Sequence, residues 1–132
     1  MTTTEFHVKT QRRTQLVSIT TDIAGVIANN NWLDGVVTVF VPHTTAGITI
    51  NENADPDVAF DMESFSDELI PQSKKFRHSE GNSDAHLKAS FYGSSVQVIV
   101  RNGTMWLGTW QGIYFCEFDG PRERSVYMAY RS

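Results

Sequence analysis

The most regular pattern in the sequence is a run of alternating side chains that ends at Asn102-Gly103. One face of the run would carry Val96, Val98 and Val100, and the other Gln97, Ile99 and Arg101. Asn-Gly between alternating segments is a strong signal for a tight β-hairpin. The pattern therefore predicts a half-buried strand, a two-residue turn and a brief returning strand, which is typical of an antiparallel sheet.

Other β-branched or alternating segments predict further strands at residues 4–10, 16–20, 35–41, 48–52, 113–118 and 125–131. Because Asp119-Gly120-Pro121-Arg122 is rich in turn formers, the last two segments are predicted to form a second hairpin. Strands thus outnumber helices by roughly seven to three, and several strands follow one another directly.

Three helices are predicted from caps and apolar spacing. Thr20 or Thr21 is the expected N-cap of the first helix. Asp55-Pro56 begins a second helix, whose buried face would carry Val58, Met62, Phe65 and Leu69. Asp84 would cap a short third helix over residues 84–90. These elements predict a compact α+β domain over residues 1–132, with a largely antiparallel or mixed sheet and about three helices.

Composition excludes several functions. A net charge of −4 and a pI near 5.5 leave no basic surface for nucleic acid. No segment approaches the roughly 18 apolar residues of a membrane span, and the N-terminus lacks the pattern of a signal peptide. The single cysteine, Cys116, has no internal disulfide partner and lies in an apolar strand, where packing explains it better than catalysis. We therefore expect a cytoplasmic protein.

Three histidines stand in segments that suit chemistry. His78 and His86 flank a glycine-containing turn, and His43 directly follows an apolar strand. Neutral imidazoles are good zinc ligands, and three of them leave one position open for water or substrate. A hydrogen-bonded structural role for at least one of the three remains the alternative. We predict that these rings converge beside an anion-binding surface.

Two carboxylates are candidates for acid–base work at such a site. Glu80 precedes Gly81, which permits close backbone approach, and is the better placed of the two. Glu52 leaves its strand next to a turn, where it could act as an acid, a base or a magnesium ligand, or could simply be solvated.

Several polar residues could bind phosphate oxygens. Turn N–H groups and hydroxyls are expected to do so at Thr44, Thr45, Asn82, Gly108 and Thr109. Arg122 and Arg124 would add fork-shaped donors for bidentate contacts. An ordinary β-turn and two surface arginines are the alternative. The expected partner is thus a small phosphorylated metabolite.

Five segments together carry a resemblance to a known family: residues 43–46, 51–57, 78–86, 107–111 and 117–122. In this order they resemble the YjbQ-like family (UPF0047), whose members are often labelled secondary thiamine-phosphate synthase. The resemblance covers essentially the whole chain. It implies a homotrimer with sites near subunit boundaries, and a metal gathered by His43, His78 and His86.

The implied activity joins a pyrimidine pyrophosphate to a thiazole phosphate and releases pyrophosphate. Zinc would be the expected metal, with magnesium possible beside a pyrophosphate substrate. His78, His86, Glu80 and Glu52 would then be catalytic. The alternatives are a metal-dependent hydrolase of a phosphorylated metabolite, with Glu80 as base, and a non-catalytic module that binds such a metabolite.

Overall fold

Two antiparallel sheets share one hydrophobic core in the computed structural model, which describes residues 1–132. The elements in chain order are β1 (Thr2–Lys9), β2 (Gln15–Ser18), α1 (Thr20–Asn29), β3 (Gly35–Phe40), β4 (Ala46–Glu52), α2 (Pro56–Leu69), α3 (Ser83–Tyr92), β5 (Ser95–Arg101), β6 (Thr104–Met105), β7 (Gln111–Glu117) and β8 (Glu123–Arg131). The larger sheet has the strand order β1-β8-β3-β5-β6, and the smaller has β2-β7-β4. The prediction of an α+β fold with three helices and antiparallel strands is confirmed.

The main core lies between the sheets and is closed by α1. Val37 and Val39 of β3 are fully buried there, as are Ile23 and Ile27 of α1. In β5, Val98 and Val100 point into this core while Gln97, Ile99 and Arg101 are exposed. The predicted alternation is therefore confirmed. The turn after it has the positive φ values of a tight hairpin, 51° at Asn102 and 76° at Gly103.

The middle strand of the smaller sheet, β7, is buried on both faces. Ile113 and Phe115 belong to the main core. Tyr114 and Cys116 belong to a second core, in which α3 contributes Ala85 and Ala89. Burial on both sides explains why this strand reads as a continuous apolar run rather than an alternation. It also buries the ring of Tyr114, which is 6% exposed.

The predicted hairpin between β7 and β8 is wrong. Strand β7 pairs with β2 and β4, whereas β8 pairs with β1 and β3 in the other sheet. The Asp119–Arg122 segment therefore carries the chain from one sheet to the other. The carboxylate of Glu117 fixes the start of this segment, because it accepts hydrogen bonds from the backbone N–H groups of Phe118 and Asp119 at 3.1 and 3.0 Å.

Two of the three predicted helix starts differ from the structure. Asp55 does cap α2 and accepts the Asp57 N–H, as predicted. In α1, however, the cap position is Ile19, and the Thr20 hydroxyl instead accepts the N–H of Ile113 at 2.9 Å. In α3 the cap position is Asn82, because the Asp84 carboxylate is turned inward to charged partners.

The predicted apolar face of α2 is only partly buried. Phe65 and Leu69 are 61% and 64% exposed, so their assignment to the core is wrong. The buried residues of α2 are polar: Glu63 accepts the Leu16 N–H at 2.7 Å, and the Ser66 hydroxyl lies 2.7 Å from that of Tyr92. These hydrogen bonds, rather than apolar spacing, set the rotation of the helix. No helix in the structure has the length and apolar content needed to cross a membrane.

Candidate functional site

The fold brings the three predicted histidines to one side of the molecule. His43 lies between β3 and β4, His86 lies in the first turn of α3, and His78 lies in the loop before α3. Helix α3 packs against β4, where Gly47 permits close approach: an added Cβ would lie 2.7 Å from the carbonyl oxygen of Gly93. As a result, His43 and His86 line the same cavity of about 490 Å³.

His78 extends this group from the neighbouring loop. Its ring packs edge-on against that of His86, with 5.4 Å between the ring centroids. Its Nε2 atom lies 3.9 Å from a carboxylate oxygen of Glu80, and both side chains are solvent-accessible. The structure therefore places His78 beside both Glu80 and His86, and His43 lines the same cavity as His86.

His43 is held by the protein in one protonation state. Its Nε2 atom accepts the backbone N–H of Ser125 at 2.9 Å. Burial lowers the pKa of His43, and the nearby positive charge of Arg124 lowers it further. Because Nε2 accepts this N–H, the ring in this conformation is the neutral tautomer with its proton on Nδ1. Since a neutral imidazole has one lone pair and Ser125 uses it, His43 in this conformation is a donor and not a metal ligand.

Of the three predicted metal ligands, the rings of His78 and His86 are in direct contact. Two imidazoles on one tetrahedral zinc have ring centroids about 5 Å apart, given Zn–N bonds of about 2.0–2.1 Å, and His78 and His86 are spaced in this way. However, no group of three histidine, cysteine or acidic side chains is arranged so that it could hold a metal ion.

Glu52, Gly108 and Thr109 lie elsewhere. Strand β4 begins at Ala46, which lines the histidine cavity, and ends at Glu52, about 20 Å further along the strand. There Glu52 pairs with Gln111, whose side chain accepts the N–H of Gly108 at 2.8 Å. Within one chain, therefore, this predicted acid and this predicted phosphate turn do not meet the histidines.

Arg124 and Thr45 take part in a buried ion pair rather than an open anion site. Arg124 is 3% exposed, and its guanidinium pairs with the fully buried carboxylate of Glu117. The same guanidinium donates to the hydroxyl of Thr45 at 2.9 Å, and Glu117 also accepts the hydroxyl of Thr10 at 2.8 Å. Arg124 has no free face for a phosphate, so it acts by fixing the loop that carries His43.

A second charged network fixes the start of α3. Asp84, buried at 1% exposure, pairs with Arg13 at 2.9 Å and with Lys88 at 3.3 Å. Asp119 accepts the side-chain amide of Asn82 at 2.9 Å and the guanidinium of Arg122 at 3.1 Å. Asn82 and Arg122 are thus bound to Asp119, while the predicted Thr44 remains exposed on the His43 cavity.

Sequence reasoning missed three residues that shape the site. Glu117 and Thr10 complete the ion pair, and Ser125 holds the ring of His43. One signal was available for Glu117. A single carboxylate at the end of an otherwise apolar buried strand needs a buried partner, and Arg124 follows seven positions later.

The fold and site together define a small α+β protein with histidines gathered where α3 meets β4. Family comparison agrees along nearly the whole chain: the model described as "UPF0047 protein YjbQ-like" matches residues 4–131. The chain belongs to the YjbQ-like (UPF0047) family.

Named relatives and solved structures are similar over most of their length. A UPF0047 protein of Methanocaldococcus jannaschii is 52% identical over 94% of this chain and 90% of its own. The UPF0047 protein YugU of Bacillus subtilis is 51% identical over 92% of each chain. A crystal structure of an uncharacterised YjbQ/UPF0047 protein from Clostridium acetobutylicum, 50% identical, has a TM-score of 0.93 and covers 97% of this chain and 99% of that one.

Proposed function

We propose that this protein is an auxiliary thiamine-phosphate synthase that joins a pyrimidine pyrophosphate to a thiazole phosphate and releases pyrophosphate. The observation that carries the proposal is the grouping of His43, His78 and His86 around the start of α3. It is supported by membership of a family whose members are often given this label. The substrates are small phosphorylated metabolites.

The chemistry needs stabilisation of a leaving pyrophosphate and of an electron-poor methyl carbon on the pyrimidine. His43 offers a neutral ring held in place by Ser125, and the Thr44 hydroxyl lies on the same cavity. The Glu80 carboxylate, 3.9 Å from His78, is available to stabilise the developing positive charge. Glu52 lies at the other end of β4 from the histidine cavity. We therefore propose that the Glu52 taking part in the reaction comes from a neighbouring subunit.

We further propose that the site takes a divalent cation. Zinc would bind at His78 and His86, and magnesium could instead arrive with a pyrophosphate substrate. His43 would become a third ligand after releasing the Ser125 amide. A bound cation supplies positive charge where the pyrophosphate leaves.

We propose a homotrimer in the cytoplasm, with the outer face of the larger sheet as the contact surface. This face exposes Val36, Phe40, Ile99 and Tyr127, each between 38% and 49%. Apolar side chains on a sheet face are better covered than solvated. A trimer would also allow the Glu52 end of one protomer to approach the histidines of another.

Alanine substitution of the paired histidines tests the site. We expect His78→Ala and His86→Ala to abolish complementation of a thiamine auxotroph, because each removes a ring from the pocket. The matched control is His7→Ala, which removes an exposed histidine from β1. Gel filtration and circular dichroism should show the same assembly and fold for all three variants. Normal growth with both His78→Ala and His86→Ala would refute the assignment.

The contact between Glu80 and His78 favours a second candidate, a metal-dependent hydrolase in which Glu80 is the general base. In that case zinc-loaded protein should hydrolyse members of a panel of phosphate esters without thiamine precursors. Glu80→Gln should lower kcat by about 10²–10⁴-fold, the usual contribution of a positioned base. Zinc analysis of protein purified without chelators accompanies this assay. Tight binding of a phosphate ester without turnover would instead indicate a binding module.

A further inference from the structure

The loop between α2 and α3 carries an unusual concentration of unpaired positive charge. Lys74, Lys75 and Arg77 occupy three of four consecutive positions in a protein whose net charge is −4. All three are exposed, and none belongs to any of the ion pairs in the structure. By contrast, Arg122 and Arg124, the arginines that the sequence suggested for phosphate binding, are both paired with carboxylates.

This loop lines an open cavity of about 590 Å³. Its walls include Lys74, Arg77 and His78, together with Ser73 and Ser79. Only one lining residue is apolar, and none is acidic. The loop is closed across its base by the side chain of Gln72, which donates to the Gly81 carbonyl at 3.3 Å. Cationic and hydroxyl donors without a competing carboxylate are what a phosphate group requires.

A second cavity with basic residues in its wall is a poorer candidate for anion binding than the loop cavity. A cavity of about 350 Å³ beside α3 is also lined by three cations, Arg12, Arg13 and Lys88. There, however, Asp67 and Asp84 are part of the wall and pair with Lys88. An anion entering that cavity would have to displace these carboxylates. The loop cavity has no carboxylate in its wall, and Glu80, which lies 3.9 Å from His78, is not one of its lining residues.

The loop cavity adjoins the histidine group. His78 forms part of its wall and at the same time packs against His86, 5.4 Å away between ring centroids. Gly81, one of its lining residues, stands one residue before the cap position of α3, and the side chain at that cap accepts no hydrogen bond from the first N–H groups of the helix. The positive end of that helix adds to the charge of the loop.

We propose that Lys74 and Arg77 bind the pyrophosphate group of the substrate and hold it beside His78. The identity of that substrate rests on the function proposed above, whereas the anion site itself rests on the loop. Lys74 supplies a point charge and Arg77 a planar fork for two phosphate oxygens. Ser73 and Ser79 line the same cavity, and their hydroxyls can donate hydrogen bonds to the remaining phosphate oxygens.

Titration calorimetry with inorganic pyrophosphate tests the site directly. Wild-type protein should bind pyrophosphate saturably, and the double variant Lys74→Ala/Arg77→Ala should raise the Kd at least tenfold. The matched control is Lys9→Ala/Arg131→Ala, which removes two exposed cations from the larger sheet and should leave the Kd unchanged. Because the loop residues are exposed, circular dichroism should show an unaltered fold.

Pyrophosphate binding and growth of the thiamine auxotroph test the anion site and the synthase activity independently. If wild-type protein does not bind pyrophosphate, or if the loop variant binds it as tightly as wild type, the proposal is overturned. If binding depends on Lys74 and Arg77 while the thiamine auxotroph grows without His78 and His86, the anion site stands and the synthase assignment falls.

Discussion

Glu117→Gln should lower the free energy of unfolding by about 3–5 kcal/mol, the usual cost of leaving one partner of a buried ion pair alone. The substitution keeps the shape of the side chain but removes the charge that faces Arg124. It also turns an amide group toward the N–H groups of Phe118 and Asp119, which the carboxylate accepts in the native protein. Urea unfolding followed by tryptophan fluorescence measures the change.

Two further variants show whether the ion pair is the cause. Glu5→Gln removes an exposed carboxylate from β1 and should change stability by less than about 0.5 kcal/mol. Adding Arg124→Met to Glu117→Gln should restore part of the loss, because the uncompensated buried cation is then gone. A double variant as unstable as Glu117→Gln alone would contradict this explanation.

The pH dependence of stability follows from the same carboxylate. Burial by itself would raise the pKa of Glu117, but hydrogen bonds from Arg124, the Asp119 amide and Thr10 outweigh it, so the pKa is lowered on folding. A carboxyl group whose pKa is lower in the folded than in the unfolded protein stabilises the fold at pH values above its pKa in the unfolded protein. That stabilisation is lost as the pH falls through its pKa in the folded protein. Wild type should therefore lose stability in acid more steeply than Glu117→Gln.

Asp84→Asn should destabilise the protein by about 3 kcal/mol and also disturb the site. The buried ammonium of Lys88 would keep only Asp67 as an anionic partner, and Arg13 would keep only Asp119. Since Asp84 lies in the first turn of α3, two residues before His86, the imidazole should lose its defined position. Urea unfolding measures the first effect, and the histidine ring signals in NMR spectra report the second.

The control for this variant is Asp61→Asn on the exposed side of α2, where the carboxylate has no partner in the structure. It should leave both stability and the histidine signals as they are in wild type. If Asp84→Asn unfolds at the wild-type urea concentration, the charged network around Lys88 does not stabilise the start of α3, and that assignment fails.

Local signals in the sequence were reliable where one short segment determines the outcome. Asp55-Pro56 begins α2 and Asn102-Gly103 makes a tight turn, because caps and turns depend on a few neighbouring dihedral angles. The same kind of signal failed at residues 119–122. A turn-rich segment shows that the chain changes direction, but it contains nothing that specifies which sheet the next strand joins.

The sequence predicted those site residues whose chemical type alone indicates a function. Histidines next to glycine turns indicated chemistry, and the fold does gather His43, His78 and His86. The role of Arg124 was not predicted, since in an alternating strand an arginine is normally solvated. Its burial depends on Glu117 in a different sheet, and the lone carboxylate at the end of the apolar strand was the one local signal for that pair. Similarly, the spacing in α2 could not reveal that Glu63 and Ser66 turn the helix.

Strand β8, the last in the chain, lies between β1 and β3 and carries both Arg124 and the Ser125 amide that holds His43. Ribosomal synthesis therefore delivers the anchor of this imidazole after all three histidines. A nascent chain that stops before β8 would contain the three rings yet lack the means to orient the first of them. We therefore expect His43 to reach its defined orientation in refolding only when β8 inserts between β1 and β3.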